Sequence, residues 1–278
     1  MEIPEKERLT EKTVLITGSA NGLGRALADK FLSERWKVIA TDKDFPSLTE
    51  LNVNPHVLAI KMDVTSDEEV QAAFKQIRAE NLHLDLIIDN AGIDSYFPFS
   101  ETPVGKFREV FETNVFGAYR VNQVFLPLLK EPGGKIMHIG SESLNITAPF
   151  MPYPISKNAL ERYAKVLRQE LQFHGIDVVV IRPGAIRTKI LENVMNLQSE
   201  VAGKSWLLQK QLKKFAEIAP KNIGKVLEPE EVAAFVYKVS QKTNPKVVYR
   251  INNNPMLKIM ALLPFSLIEK AVRKQLSG

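Results

Sequence analysis

The chain has 278 residues, 45% of them hydrophobic, a net charge of +5 and no cysteine. That length suits one large α/β domain with an appendage, and the missing cysteines exclude disulfides, thiolate metal sites and a thiol nucleophile. His56, His83, His138 and His174 lack ligand spacing, no run of about 18 apolar residues offers a membrane span, and the charged residues 1–8 hold no apolar signal core, so a cytoplasmic protein without a metal is expected.

The first predicted strand, 13–16, runs into Thr17-Gly18-Ser19-Ala20-Asn21-Gly22-Leu23-Gly24, and residues 25–32 follow with helical spacing. Strand, glycine turn and helix form the context that a phosphate-binding loop requires. Glycine permits the tight turn and lets the backbone approach a pyrophosphate, while the helix N-terminus presents N–H groups and positive partial charge to it. The spacing is G-x-x-x-G-x-G rather than the commoner G-x-G-x-x-G. A second strand, 37–41, ends at Asp42. An acid about 20 residues past the glycines accepts hydrogen bonds from the adenosine ribose hydroxyls. The same carboxylate repels the 2′-phosphate of NADP and Asn21 supplies no cation for it, so NAD is the expected cofactor. Lys43, beside Asp42, partly offsets that repulsion and leaves NADP as the alternative.

Further strand-like runs at 57–61, 85–88, 134–139, 176–182 and 247–251 alternate with helical segments long enough for crossovers. The alternation predicts an α/β fold built on a parallel, doubly wound sheet of about seven strands. After the 134–139 strand come Ser141 and Ser143, and then Tyr153-Pro154-Ile155-Ser156-Lys157. Positions i and i+4 share one helix face, and proline is favoured at the first helical position, so Tyr153 is expected at a helix mouth with Lys157 one turn inside. A cation about 4 Å away at an effective dielectric of about 20 favours the phenolate by roughly 4 kcal/mol, or about three pKa units. Tyr153 thereby becomes a candidate general acid–base. Ala159, Leu160, Tyr163, Ala164, Leu167 and Leu171 recur at helical spacing behind it and read as core or subunit interface.

Together these residues resemble the classical short-chain dehydrogenase/reductase family over about residues 10–255. Thr17 to Gly24 matches its glycine motif and Asp63-Val64 its adenine-contacting pair. Asp89-Asn90-Ala91-Gly92 is similar to the family's N-N-A-G, with Asp89 for the first asparagine. Asn114 occupies the place of the family's helix asparagine, and Ser141, Tyr153 and Lys157 match the catalytic serine and Y-x-x-x-K. Arg182-Pro183-Gly184-Ala185-Ile186-Arg187-Thr188 resembles the P-G motif, with Thr188 where the nicotinamide carboxamide is held. The serine-to-tyrosine spacing is one residue shorter than the family's, and Ser143 offers a second hydroxyl to the substrate. The resemblance implies a single Rossmann-like domain, an NAD(P)-dependent alcohol dehydrogenase or carbonyl reductase, and a homodimer or homotetramer. It also implies that Tyr153 exchanges the substrate proton, Ser141 holds the substrate oxygen and Lys157 bonds the nicotinamide ribose. Asn114 then supports a water-linked proton path to Lys157.

Residues 189–225 set apolar positions among lysines where the family places its substrate-covering segment. A C-terminal extension, 256–276, follows the last strand and is expected to form two short helices divided at Pro264. It is similar to the extensions of family members acting on steroids, retinoids and other lipophilic alcohols, and a lipophilic alcohol or ketone is the expected substrate. Residues 200–278 hold 14 Lys/Arg against 6 Asp/Glu, or +8, leaving −3 on the first 199. A basic quarter suits an anionic membrane surface, acidic substrates or simply a solvated helical face. No motif supports nucleic-acid binding. Within enzymes the alternative is an NADP-linked reductase of fatty or aromatic carbonyls. Outside them it is a dinucleotide-binding sensor, which would be expected to lack Tyr153 or Lys157.

Overall fold

Seven apolar runs pair side by side in parallel: β1 (Thr13–Thr17), β2 (Lys37–Asp42), β3 (Val57–Lys61), β4 (Leu86–Asp89), β5 (Lys135–Ile139), β6 (Asp177–Pro183) and β7 (Val248–Ile251). Their order across the sheet is β3-β2-β1-β4-β5-β6-β7. The computed structural model describes residues 11–196, 205–252 and 262–277. Every strand lies within one residue of its sequence-predicted bounds at each end. Between them run α1 (Gly22–Ser33), α2 (Phe45–Leu48), α3 (Asp67–Ala79), α4 (Val104–Phe111), α5 (Ala118–Phe125) and α6 (Pro152–Leu171). The later part of the chain adds α7 (Lys189–Met195), α8 (Gln209–Ile218), α9 (Pro229–Ser240) and α10 (Phe265–Leu276).

Both faces of the sheet are covered, which is why its strands read as continuous apolar runs rather than alternating ones. On one face Val14 and Ile16 of β1 pack with Leu27 and Phe31 of α1 and Val232 and Val236 of α9. On the other, Leu15, Ile39 and Ile87 meet Val70 and Ile77 of α3, Val121 and Phe125 of α5, and Ala164 of α6. Successive residues along β1 therefore serve opposite cores, as the period of two requires.

Local chemistry sets the helix ends. The Ser66 hydroxyl accepts the Glu69 N–H at 3.2 Å and caps α3, whose first turn carries Asp67, Glu68 and Glu69. A capping box between Glu228 and Glu231 opens α9, with Pro229 in its first turn. The α6 helix starts at Pro152, two residues before the proline expected to open it, so Tyr153 stands in the first turn. Of the 189–225 segment, residues 197–204 lie outside the described residues, and the rest forms α7, α8 and a 3-10 turn at Ala219–Asn222. Of the predicted first half of the C-terminal extension, residues 256–261 lie outside the described residues. The second half is α10, which starts directly after Pro264. Phe150, Leu212, Phe215 and Ala216 form a third, smaller core against which Met151 and Leu276 pack, and it seats α8 and α10 on the body.

Strand order reverses between β1 and β4, and in such sheets the crevice at the carboxyl ends of the strands is where ligands bind. No helix of the described residues is long and apolar enough to cross a membrane.

Candidate active site

The β1–α1 turn is built around glycines that nothing larger could replace. Gly18 and Gly22 hold φ at +69° and +54°, in the left-handed region. A Cβ on Gly24 would lie 1.8 Å from the Gly18 carbonyl oxygen, so the first turn of α1 presses directly on the loop. Asn90 pins the loop to β4 by donating from Nδ2 to the Thr17 and Gly18 carbonyls at 2.9 and 3.0 Å. The amino end of α1 follows Asn21, whose side chain makes no capping bond, and this end opens on a cleft of about 1170 Å³. At the end of β2 the Asp42 carboxylate accepts the Ala20 and Asp44 N–H groups, both at 3.0 Å, and faces the same cleft.

All but two of the sequence-predicted site residues line this cleft; Ser19 and Asn114 are the exceptions. Ser19 is fully buried: its hydroxyl donates to the Ile16 carbonyl at 2.8 Å and its N–H to the Thr41 carbonyl at 3.0 Å. It therefore has no donor left for a phosphate, and the expectation that it binds cofactor is corrected. Asp63 and Val64 border the cleft beyond β3, and Pro183 at the end of β6 borders it with Gly184 and Ile186 just after. Thr188 stands over the glycine turn, since a Cβ on Gly22 would lie 3.2 Å from its methyl group. A glycine cradle that a Cβ would fill, an uncapped helix end and a carboxylate after the second strand together fit a nicotinamide dinucleotide.

Tyr153, Ser141 and Lys157 all line the cleft. The Ser141 hydroxyl stands close enough to the Tyr153 phenol to favour its ionised form. It also lies 2.8 Å from the Ser143 hydroxyl, which places Ser143 one step behind it. Lys157 is 3% exposed and donates from Nζ to the Ile139 carbonyl at 2.8 Å. Its Nζ lies 5.5 Å from the centroid of the Tyr153 ring.

This geometry changes the expected electrostatics. Burial raises the Tyr153 pKa, the Asp94 carboxylate raises it further, and the Ser141 hydroxyl acts the other way. The Coulomb argument from sequence omitted desolvation, which here outweighs the attraction of a lysine turned toward a backbone carbonyl. Burial also lowers Lys157 to about 8, against the opposing pull of Asp89 and Asp94.

A stability consequence follows from that lysine. Its folded pKa lies below its unfolded value, so above about pH 8 the unfolded chain holds more protons than the folded one. Wild-type stability relative to Lys157→Met should therefore rise with pH by up to about 1.4 kcal/mol per unit, from about pH 8 to the ordinary lysine range. Urea unfolding of both proteins across that window checks it, and a flat or falling difference contradicts it.

Asn114 lies behind the cleft wall, in a π-helical turn (Glu112–Gly117) between α4 and α5. Its Oδ1 accepts the Ile93 N–H at 2.8 Å, and its Nδ2 donates to the Ile93 carbonyl at 2.9 Å and the Ser156 hydroxyl at 3.0 Å. The amide thus fixes the β4–α4 loop beside Lys157. A Cβ on Gly92 would lie 3.3 Å from Asn114 Oδ1 and 3.4 Å from Lys157 Nζ, so glycine keeps this corner open.

Asp89, the departure from the family's asparagine, faces a buried histidine. His138 of β5 is fully buried, with Nδ1 3.0 Å from Asp89 Oδ2. Reading the histidines for metal spacing missed this pair, although β4–β5 register sets Asp89 directly opposite His138. Asp94 and Tyr96 of the cleft wall were also missed. Asp94 stands two residues past the glycine of D-N-A-G, and that position was the available signal.

The sequence model for short chain dehydrogenase matches residues 12–198. The chain is 31% identical over 281 residues to an uncharacterized oxidoreductase of Bacillus subtilis (strain 168), YusZ, covering 96% of this chain and 99% of that one. It is 33% identical over 192 residues to estradiol 17-beta-dehydrogenase 2 of Rattus norvegicus, covering 65% of this chain and 50% of that one. A short chain dehydrogenase/reductase of Burkholderia phymatum, solved in complex with NAD, shares the fold with a TM-score of 0.74 at 21% identity, over 94% of this chain and 95% of that one. With the glycine loop, the seven-stranded parallel sheet and the Ser141–Tyr153–Lys157 cluster in place, this chain belongs to the short-chain dehydrogenase/reductase family of oxidoreductases.

Proposed function

We propose that the protein interconverts a lipophilic secondary alcohol and its ketone, with NAD as the preferred cofactor. The observation that carries this reading is the shape of the cleft. Its lining joins Ser141, Tyr153 and Lys157 to the apolar side chains Ile190, Leu191, Val194, Phe215, Val272 and Leu276. In carbonyl reduction Tyr153 gives its proton to the ketone oxygen, and in alcohol oxidation it takes the carbinol proton. Ser141 holds that oxygen, Lys157 anchors the nicotinamide ribose, and Asn114 supports the proton path behind it. A bound nicotinamide supplies or accepts the hydride at the carbinol carbon.

Each buried methylene contributes about 0.8 kcal/mol, so a multi-ring or long-chain substrate draws several kcal/mol from such walls. The C-terminal helix supports delivery of that substrate from a bilayer. Leu262, Phe265 and Leu267 are exposed, as are Trp206 and Leu207 ahead of α8, and Lys270, Arg273 and Lys274 follow on α10. Kinetics on sterols, retinoids, long-chain alcohols, sugars and short hydroxy acids are the test. The highest kcat/KM is expected on a lipophilic member, and for vesicle-borne substrate turnover should rise with anionic lipid and fall with salt. Best turnover of a sugar or a short hydroxy acid would overturn the proposal.

Asp42 supports the cofactor preference because its carboxylate is fixed by two backbone N–H groups at the adenosine end of the cleft. Asp42→Ala should move the ratio of kcat/KM for NAD and NADP toward NADP. A wild-type enzyme that already prefers NADP by about tenfold would show that Lys43, which also lines the cleft, dominates instead.

A further inference from the structure

We propose that Glu101 is a positioning residue that sets the size of substrate the cleft prefers, acting through α8. This inference deepens the reading of the cleft given above and rests on it.

The amino end of α8 is poorly provided for by its own sequence. The first four N–H groups of a helix have no partner within it. Here the N-cap residue is Leu208, which carries no acceptor, and the first turn holds no acid. Lys210 adds a positive charge where the helix dipole is already positive. The acceptor comes instead from 104 positions before Ser205. Glu101 Oε1 accepts the Ser205 hydroxyl at 2.6 Å and the Leu208 N–H at 3.2 Å, and Oε2 accepts the Trp206 N–H at 2.8 Å. Ser205 Oγ also accepts the Leu208 N–H, at 2.8 Å. One carboxylate thus brings both acceptors and negative charge to the start of α8.

The turn that carries Glu101 is itself fixed. The Glu101 and Thr102 N–H groups donate to the Pro98 carbonyl at 3.2 and 3.1 Å, and the Phe97 N–H donates to the Phe150 carbonyl at 3.1 Å. Phe150 in turn meets Phe215 of α8 edge-on, with ring centroids 5.4 Å apart. The helix is therefore held at its start by Glu101 and farther along by Phe150. Phe215 and Ile218 on α8, and Ala219 just after it, line the cleft. Without the carboxylate the Phe150 contact remains, but the helix loses its fixed start and these side chains lose their fixed setting. A long-chain or multi-ring substrate must then order them as it binds, a cost that a preformed wall avoids. A small ketone that reaches Ser141 and Tyr153 without touching α8 carries no such cost.

The test compares wild type, Glu101→Ala and Glu101→Gln on a long-chain ketone and on cyclohexanone. In Glu101→Ala, kcat/KM for the long-chain ketone should fall at least about tenfold, mainly through KM, as expected for lost bonds to a charged group, while cyclohexanone stays within about twofold of wild type. Glu101→Gln keeps one acceptor oxygen and should lie between the two. Hydrogen exchange over residues 205–212 should be faster in Glu101→Ala and unchanged over α1. An equal loss on both ketones, or no loss on either, would overturn the inference, because general damage to the fold moves both substrates alike. Turnover of no long-chain ketone by wild type would count against the lipophilic-substrate reading instead. Titration with a long-chain alcohol bearing a fluorescent ring then decides the role of Glu101: weaker binding to Glu101→Ala supports it, and equal affinity overturns it.

Discussion

Replacing Tyr153 by phenylalanine should lower kcat by about 10²–10⁴-fold, the usual loss when a general acid–base group is removed. The ring stays, so packing around Ser141 and the apolar wall is kept, and cofactor affinity should stay close to wild type. Only the proton is lost. Burial in the first turn of α6 holds that proton on the phenol, and the Ser141 hydroxyl favours releasing it. Steady-state kinetics and cofactor titration by fluorescence separate the two effects. A loss of less than about tenfold in kcat would mean that another group moves the proton.

Gly24→Ala should be as damaging, by a different route. The added Cβ would lie 1.8 Å from the Gly18 carbonyl oxygen and 2.6 Å from Asn90 Nδ2. The first of these contacts is backbone and cannot swing aside, so α1 must move off the glycine turn or the turn must open. Either change spoils the close approach of backbone N–H groups to a pyrophosphate. Cofactor affinity should fall by more than about 100-fold, since several N–H contacts are lost together, and Tm should fall with it. Gly105→Ala is the matched control. Gly105 lies in α4 with nothing within 4 Å of its would-be Cβ, and alanine there should stabilise the helix by up to about 1 kcal/mol. Calorimetric Tm and cofactor Kd for both variants check the pair, and an unchanged Kd for Gly24→Ala would contradict the cradle.

The sheet was legible in the sequence because parallel strands covered on both faces leave an unambiguous trace, an apolar run bounded by turns. The glycine loop was legible because φ restricts Gly18 and Gly22 to glycine and close packing restricts Gly24. Side-chain direction was not legible. Ser19 sits inside a binding motif yet turns its hydroxyl to Ile16, a choice made by a bond three residues away in sequence and by burial. The spacing of Tyr153 and Lys157 placed both on one face of α6, but the partner Nζ takes is the end of β5, which only the fold brings near. The raised Tyr153 pKa follows from burial that no spacing reveals. Asp89 and His138 are 49 positions apart in the chain and became a pair through β4–β5 register. The relation of Ser141 to Ser143 was likewise hidden, since only the fold shows their hydroxyls 2.8 Å apart.

The proposed function requires one event, passage of hydride between a lipophilic carbinol carbon and nicotinamide under control of Tyr153. Its most direct test is a single-turnover reaction of a lipophilic alcohol deuterated at the carbinol carbon, with oxidised cofactor, followed by mass spectrometry of the reduced cofactor. Deuterium should appear in the reduced cofactor with wild type, more slowly than the protium reaction, and the rate should collapse with Tyr153→Phe. Product ketone formed without deuterium in the cofactor, or label transfer at an equal rate in Tyr153→Phe, would contradict it.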